Sequence, residues 1–180
     1  HGVHDNHNLF SSKNLTLAEI LKEKDYKTAA FVSTFVLDEQ FGLDDGFEYY
    51  NDEFINGLGL DGTFERRAKE TTDFAIDYIH KFHADDNNFF LFVHYYDPHT
   101  VYDPPEPFAS RFPGDAYSGE IAYTDYHIGR LFKALKDAGL YDNSLIVVVG
   151  DHGEGLGDHG ESEHGYFVYQ PTIHVPLIIK

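Results

Sequence analysis

Ser144-Leu-Ile-Val-Val-Val-Gly-Asp-His-Gly153 is the stretch whose reading decides the fold. Five aliphatic residues, 145–149, end at a glycine and run straight into a carboxylate and an imidazole. Such a run reads as a strand, and Gly150 as the point where the chain turns. Working outward, residues 28–35 and 88–95 are similar runs, and 175–179 is a fourth. Between them lie segments with helical spacing. Residues 15–24 carry Leu17, Ile20 and Leu21, and Thr16 with Glu19 makes an S/T-x-x-E capping box. Residues 63–83 repeat Phe64, Ala68, Ala75, Ile79 and Phe82, and 118–138 repeat Ile121, Ile128, Leu131, Phe132 and Leu135 before stopping at Gly139. Residues 38–62 are acidic and hold Gly42, Gly46, Gly57, Gly59 and Gly62, so a loop is expected there. Strands separated by helices need crossovers, which predicts an α/β fold: a three-layer α/β/α sandwich with a mostly parallel central sheet. A single domain is expected over residues 1–180.

Charge narrows the partners. Against 13 Lys+Arg stand 31 Asp+Glu, giving a formal charge of −18 among 180 residues, which argues against a nucleic acid or an anionic lipid surface. Apolar residues at 42% and aromatics at 16% are enough for a packed core, so an acidic disordered tail is excluded. No run approaches the roughly 18 apolar residues of a membrane span. Cysteine is absent, which removes disulfides, thiolate metal sites and a cysteine nucleophile from these residues. The opening His1-Gly2-Val3-His4 has neither an initiator nor a signal peptide, so a processed or excised piece of a longer chain is expected.

In a parallel sheet ligands bind beyond the carboxyl ends of the strands. Asp97-Pro98-His99 follows the second strand and Gly150-Asp151-His152-Gly153 the third. Asp151 and His152 offer the oxygen and nitrogen that a divalent cation accepts. A loop-capping aspartate beside a backbone-bonded histidine fits the same residues. Glu154, Asp158, His159, Glu161, Glu163 and His164 then crowd a segment holding three His and five Gly within 14 residues. A plain solvated loop seldom has that composition, and glycines let backbone come close to a ligand. His99 sits in a turn stiffened by Pro98, Pro104, Pro105 and Pro107, a placement suited to a general acid. A turn histidine bonded to Asp97 or Asp103 is the plainer alternative. His94, inside a strand, reads as a satisfied core residue; His80, His83 and His127 read as surface residues on helices.

These segments carry a resemblance. Tyr117-Ser-Gly-Glu-Ile-Ala-Tyr-Thr-Asp125, Gly129-Arg130-Leu131, Gly139-Leu-Tyr-Asp-Asn143 and Ile146-Val-Val-Val-Gly-Asp-His-Gly-Glu154-Gly-Leu-Gly-Asp-His-Gly160 resemble the C-terminal half of the sulfatase catalytic domain, in the alkaline phosphatase superfamily. Asp97-Pro98-His99 with Tyr102 resembles its histidine turn. Thr16-Leu-Ala-Glu-Ile-Leu21 with Tyr26-Lys-Thr-Ala-Ala30 resembles its first helix-to-strand passage, and His1-Gly2-Val3 a segment just after its nucleophile. The resemblance implies a metal-dependent hydrolase of sulfate esters acting on an anionic ester substrate. It places Asp151 and His152 at metal-ligand positions, His99 and His164 at catalytic ones, and Asp97 and Tyr102 against substrate. The implied ion is divalent, calcium first, with magnesium, manganese or zinc as alternatives. A secreted or periplasmic location is also implied.

Departures from the pattern keep other readings open. The family's nucleophile and the paired aspartates of its first strand would precede His1, so the fold is expected to be incomplete at its N-terminus and the 180-residue piece inactive alone. The family's usual Lys and His after the next strand have no counterpart around residues 33–41. Asp-His in place of Asp-Asn is a feature of phosphonate monoester and phosphodiester hydrolases in the superfamily. Such a hydrolase, a phosphoglycerol transferase, or a non-catalytic acidic metal-binding domain are therefore the alternatives. Val101 stands where proline is common, and Asp25 where glycine is common.

Overall fold

Lys-Thr-Ala-Ala-Phe, residues 27–31, forms β1 (Lys27–Phe31), whose last four residues are completely buried, as expected of a strand covered on both faces. Buried hydroxyls inside it are satisfied at once: Thr28 Oγ1 donates to the carbonyl of Gly46 at 2.7 Å. The computed structural model describes residues 3, 8–11, 13–54, 64–82 and 88–180, which fall into two compact units, His1–Gly139 and Leu140–Lys180.

In the first unit, α1 (Leu17–Lys22) starts on the expected capping box: the Glu19 amide donates to Thr16 Oγ1 at 3.0 Å, and the Thr16 amide to Glu19 Oε2 at 2.7 Å. Asp25, just after the helix, takes φ +62°, so an L-residue occupies a left-handed position that glycine fills at lower cost. The segment read as a loop contains two short 3-10 turns and β2 (Tyr49–Asn51), which pairs parallel to β1 with Ala30 opposite Tyr50. The glycines outweighed the aromatic strand formers Tyr49 and Tyr50 in that reading. Gly57, Gly59, Gly62 and Thr63 lie outside the described residues, as do His1, Gly2 and His83.

Helix α2 (Ala68–Phe82) begins later than its periodicity suggested. Phe64 precedes it, and Glu65 makes an isolated bridge to Thr34 instead. β3 (Phe89–Val93) joins β1 in parallel, Ala29 opposite Leu91, giving the order β2-β1-β3. The fold class is thus α/β with a parallel sheet. Arg66, 1% exposed, ties this sheet to α2: its guanidinium donates to Asn51 Oδ1, to the Asn51 carbonyl at 2.9 Å and to Thr71 Oγ1 at 3.1 Å. Its carbon lies 5.0 Å from the Phe74 ring centroid, and burial lowers its pKa to about 10, still charged at neutrality.

A short helix, α3 (Phe108–Arg111), and the long α4 (Ala116–Asp137) complete this unit, α4 packing on α2. Its buried stripe runs Glu120, Tyr123, Thr124, His127, Leu131, Ala134 and Leu135, at three- and four-residue spacing. His127 therefore departs from the surface reading and is only 4% exposed. Arg130 donates to its Nδ1 at 3.0 Å and to Asp73 Oδ1 at 2.7 Å. Burial first, and the Arg130 charge second, lower the His127 pKa from 6.5 to about 4. Between those values the unfolded chain binds the proton and the folded chain does not, so stability falls as pH drops through this window, by on the order of 3 kcal/mol in all. In His127→Gln this contribution is absent. Denaturant unfolding of both proteins at several pH values should show the wild type losing stability relative to the variant as pH falls; parallel curves would contradict it.

In the second unit, β4 (Val147–Val149) and β5 (Leu177–Ile179) pair antiparallel, Val148 opposite Ile178. Both strands are shorter than the runs at 144–149 and 175–179. Between them come one 3-10 turn at Asp158–Gly160 and α5 (Gln170–Ile173), no long crossover helix, so the chain doubles back and this pair departs from the parallel expectation.

Candidate functional site

Two groups of side chains follow the strands, one in each unit. In the first unit, β3 ends at Val93 and leads into the turn 94–107. His94 at its start exchanges two hydrogen bonds with Ser33, whose Oγ donates to the His94 carbonyl at 2.7 Å and lies 3.0 Å from its Nδ1. His94 is thus hydrogen-bonded as expected, but it lies just past the strand and is half-buried, not part of the core.

His99 lies farther along the turn, stacked on Tyr96 with ring centroids 4.3 Å apart. Its Nδ1 is 2.8 Å from the Thr100 carbonyl, which only accepts, so Nδ1 carries the hydrogen. Nε2 is then the nitrogen that exchanges a proton. Tyr102 meets Tyr117 edge-on at 5.3 Å.

Asp97 is turned inward, 6% exposed. Its Oδ1 pairs with Arg67 Nε at 2.9 Å, and its Oδ2 accepts the Ala68 amide at 2.7 Å at the start of α2. The carboxylate thus holds the base of the turn. Above it, Glu120 of α4, 1% exposed, accepts the amides of Asp103 at 2.8 Å and His99 at 3.3 Å, and Arg67 Nη2 at 3.2 Å. Arg67 also donates to the Asp103 carbonyl at 2.6 Å. One guanidinium serves two buried carboxylates, and the pKa shifts follow from that. Burial raises Asp97, with Arg67 opposing, and burial raises Glu120 to about 7, with the Asp97 charge adding to it. Burial works against the Arg67 charge, but Asp97 and Glu120 outweigh it and its pKa rises.

Neither Arg67 nor Glu120 figured in the sequence reading. The apolar spacing pointed elsewhere: it begins at Ile121, which is exposed, while the buried stripe begins one residue earlier at Glu120.

Gly119 lets this pair of elements approach. A Cβ there would lie 2.8 Å from Pro104 Cγ. Alanine normally adds about 1 kcal/mol to a helix interior relative to glycine, but the clash reverses the sign, and Gly119→Ala is expected to destabilise by about 1–2 kcal/mol. A higher denaturation midpoint in the variant would contradict the close approach.

In the second unit, β4 ends at Val149 and Gly150 leads to the pair expected to bind metal. Asp151 Oδ1 accepts the His152 amide at 2.9 Å, and His152 Nδ1 donates to the Gly153 carbonyl at 2.8 Å. His152 therefore keeps its lone pair on Nε2, 3.9 Å from Asp151 Oδ2. A backbone carbonyl that fixes the tautomer in this way is the usual support of a histidine ligand. The oxygen and nitrogen are close enough for one cation with bonds of about 2.0–2.4 Å to touch both. The donor types and tautomer fit, but the set is partial: among the described residues no three His, Asp or Glu converge as a metal-binding group.

His164 is brought to this pair. Its ring stacks on His152 at 3.8 Å, and its Nδ1 lies 3.3 Å from Glu154 Oε1. His159 is not; it stacks on Tyr169 at 4.2 Å. Glu161 turns inward to accept the Tyr166 and Phe167 amides at 3.0 and 3.1 Å. The glycine reading also changes here. At Gly155 a Cβ would meet the carbonyl oxygens of Glu161 and Glu163 at 2.4 and 2.5 Å, so the loop approaches itself there.

The sulfatase family model matches residues 1–180, all of the sequence. The chain belongs to the sulfatase family. Among its curated relatives, the chain is 24% identical to human iduronate 2-sulfatase, over 61% of this chain and 30% of that protein. It is 38% identical to an arylsulfatase of Clostridium perfringens, over 36% of this chain and 13% of the relative. The matches span less than a third of either relative's length. Among solved structures, one determined with its substrate D-glucosamine-2-N,6-O-disulfate matches with TM-score 0.76 and 19% identity, over 99% of this chain and 57% of the other. The phosphonate monoester hydrolase of Agrobacterium radiobacter matches with TM-score 0.75 and 18% identity, over 97% and 54%. These two likenesses show that the chain shares the α/β fold of those proteins. Among the described residues no helix is long and apolar enough to cross a membrane.

Proposed function

We propose that this sulfatase hydrolyses sulfate esters, with His99 as the acid that protonates the leaving oxygen, His164 as a second catalytic contact, and Asp151 and His152 as metal ligands. The family membership carries the reaction class. The fixed tautomer of His99 is the observation that supports its role: the Thr100 carbonyl holds the hydrogen on Nδ1, so proton transfer falls to Nε2.

A sulfate ester resists attack because its oxygens are anionic and its alkoxide leaves poorly. When bound, a divalent cation, calcium first, would neutralise part of that charge and lower the pKa of an attacking group. The chain's own residues supply the rest. Asp151 and His152 offer the donors for the ion. His99 carries the leaving-group proton from Nε2, held in plane by the Tyr96 ring. His164, braced by Glu154, contacts the transferred group. Tyr102 is proposed as a substrate contact, and Asp97 serves substrate indirectly, through the turn it anchors. A net charge of −18 opposes an anionic ester at long range, so recognition depends on charge close to the ester.

The test is sulfate release by the full-length protein from aryl sulfates and sulfated sugars, followed by ion chromatography. Release from at least one substrate is expected, and release from none across the panel would overturn the reading. Phosphonate monoester hydrolysis is the second reading, favoured by the Asp-His pair and by the fold shared with a phosphonate monoester hydrolase.

A further inference from the structure

We propose that Glu120 and Arg67 are positioning residues for His99: the Glu120 carboxylate clasps the turn by its His99 and Asp103 amides, Arg67 ties it to Asp97, and the aim of the imidazole follows the charge on Glu120.

The geometry carries this. The two amides that Glu120 accepts lie four residues apart, at 3.3 and 2.8 Å, one of them on the acid itself. Arg67 grips the same turn at both ends, through the Asp97 carboxylate at 2.9 Å and the Asp103 carbonyl at 2.6 Å. Thr124 of α4 adds a hydrogen bond from Oγ1 to the Asp97 carbonyl at 3.1 Å. The turn is thus held from α4 and from the residue just before α2, by side chains that bond its backbone and Asp97. A five-residue span, 99–103, pinned at its ends has little freedom, and a loosely held acid loses catalytic advantage.

Charge on Glu120 matters because three donors converge on its two oxygens. An ionised carboxylate accepts from three donors at once; protonation turns one oxygen into a donor and weakens its hold on the amides. The charged and titratable groups facing it are Arg67 from just before α2, and Asp97, His99 and Asp103 from the turn. Two buried carboxylates beside one guanidinium make the proton on Glu120 easy to add near neutrality, where its pKa of about 7 lies.

The inference rests on the reading of His99 as the acid, and the experiment separates the two. In the 15N-labelled full-length protein, the His99 and Asp103 amide protons should move together as pH is raised through about 7, with one shared midpoint. In Glu120→Gln that step should vanish while the fold, followed by the remaining amides, persists. The same variant should lower kcat about tenfold to a hundredfold with little change in KM, and flatten the corresponding limb of the pH–kcat profile. Absence of a shared step in the wild type overturns the clasp even if Glu120→Gln does not fold; an unchanged step in the variant overturns it too. A shared step that vanishes as expected, in a protein that hydrolyses no ester, keeps the clasp and removes the functional reading.

Discussion

His99→Ala in the full-length protein is expected to lower turnover of sulfate esters by about 10²-fold to 10⁴-fold, the contribution of a placed general acid. Bound metal should be unchanged, since the imidazole is assigned to the leaving oxygen and not to the ion. The loss should shrink as the leaving group becomes a better anion, because nitrophenolate departs with little need of a proton while a sugar alkoxide does not. A leaving-group series read as log kcat/KM against leaving-group pKa should therefore be steeper in the variant than in the wild type. Equal slopes would reduce His99 to a positioning role, and loss of metal would move it into the coordination sphere.

The second large effect is expected at the opposite end of the chemistry. Asp151→Ala and His152→Ala should each lower metal content and reduce turnover on the order of 10²-fold or more, the charge neutralisation lost with the ion. Elemental analysis on matched preparations measures the first and steady-state kinetics the second. The 3.9 Å separation of Asp151 Oδ2 and His152 Nε2 gives this prediction its form: two donors on adjacent residues, each expendable only at a cost to the ion. Unchanged metal in both variants would return Asp151 to a capping role, which its bond to the His152 amide already fits.

What the sequence disclosed depends on how local the cause is. The capping box at Thr16 and Glu19, the buried run of β1 and the stop of α4 at Gly139 each follow from a few neighbouring residues, and all three are found in the structure. The antiparallel pairing of β5 is not local. It depends on how residues 150–176 fold back, which no periodicity records. In the site, the chemistry-bearing types were legible because His and Asp after a strand are conspicuous. Their support was not. Arg67, Asp97, His99 and Glu120 are spread over 54 residues of sequence and meet only because α2, the turn and α4 pack together. His127 was misread for the same reason. Arg130, which donates to it, is held in turn by Asp73 of α2, far away in sequence.

The central claim is that the chain serves sulfate ester hydrolysis, with phosphorus chemistry secondary. The most direct measurement is kcat/KM of the full-length protein for 4-nitrophenyl sulfate and for 4-nitrophenyl phenylphosphonate, in the same buffer and with the same added divalent ion. A common leaving group removes the contribution of His99 from the comparison, so the ratio reports only the transferred group. The account predicts that the sulfate is preferred, by at least about tenfold, roughly 1.4 kcal/mol of transition-state discrimination. A ratio inverted in favour of the phosphonate would contradict it and make this sulfatase-family chain a phosphonate monoester hydrolase in function.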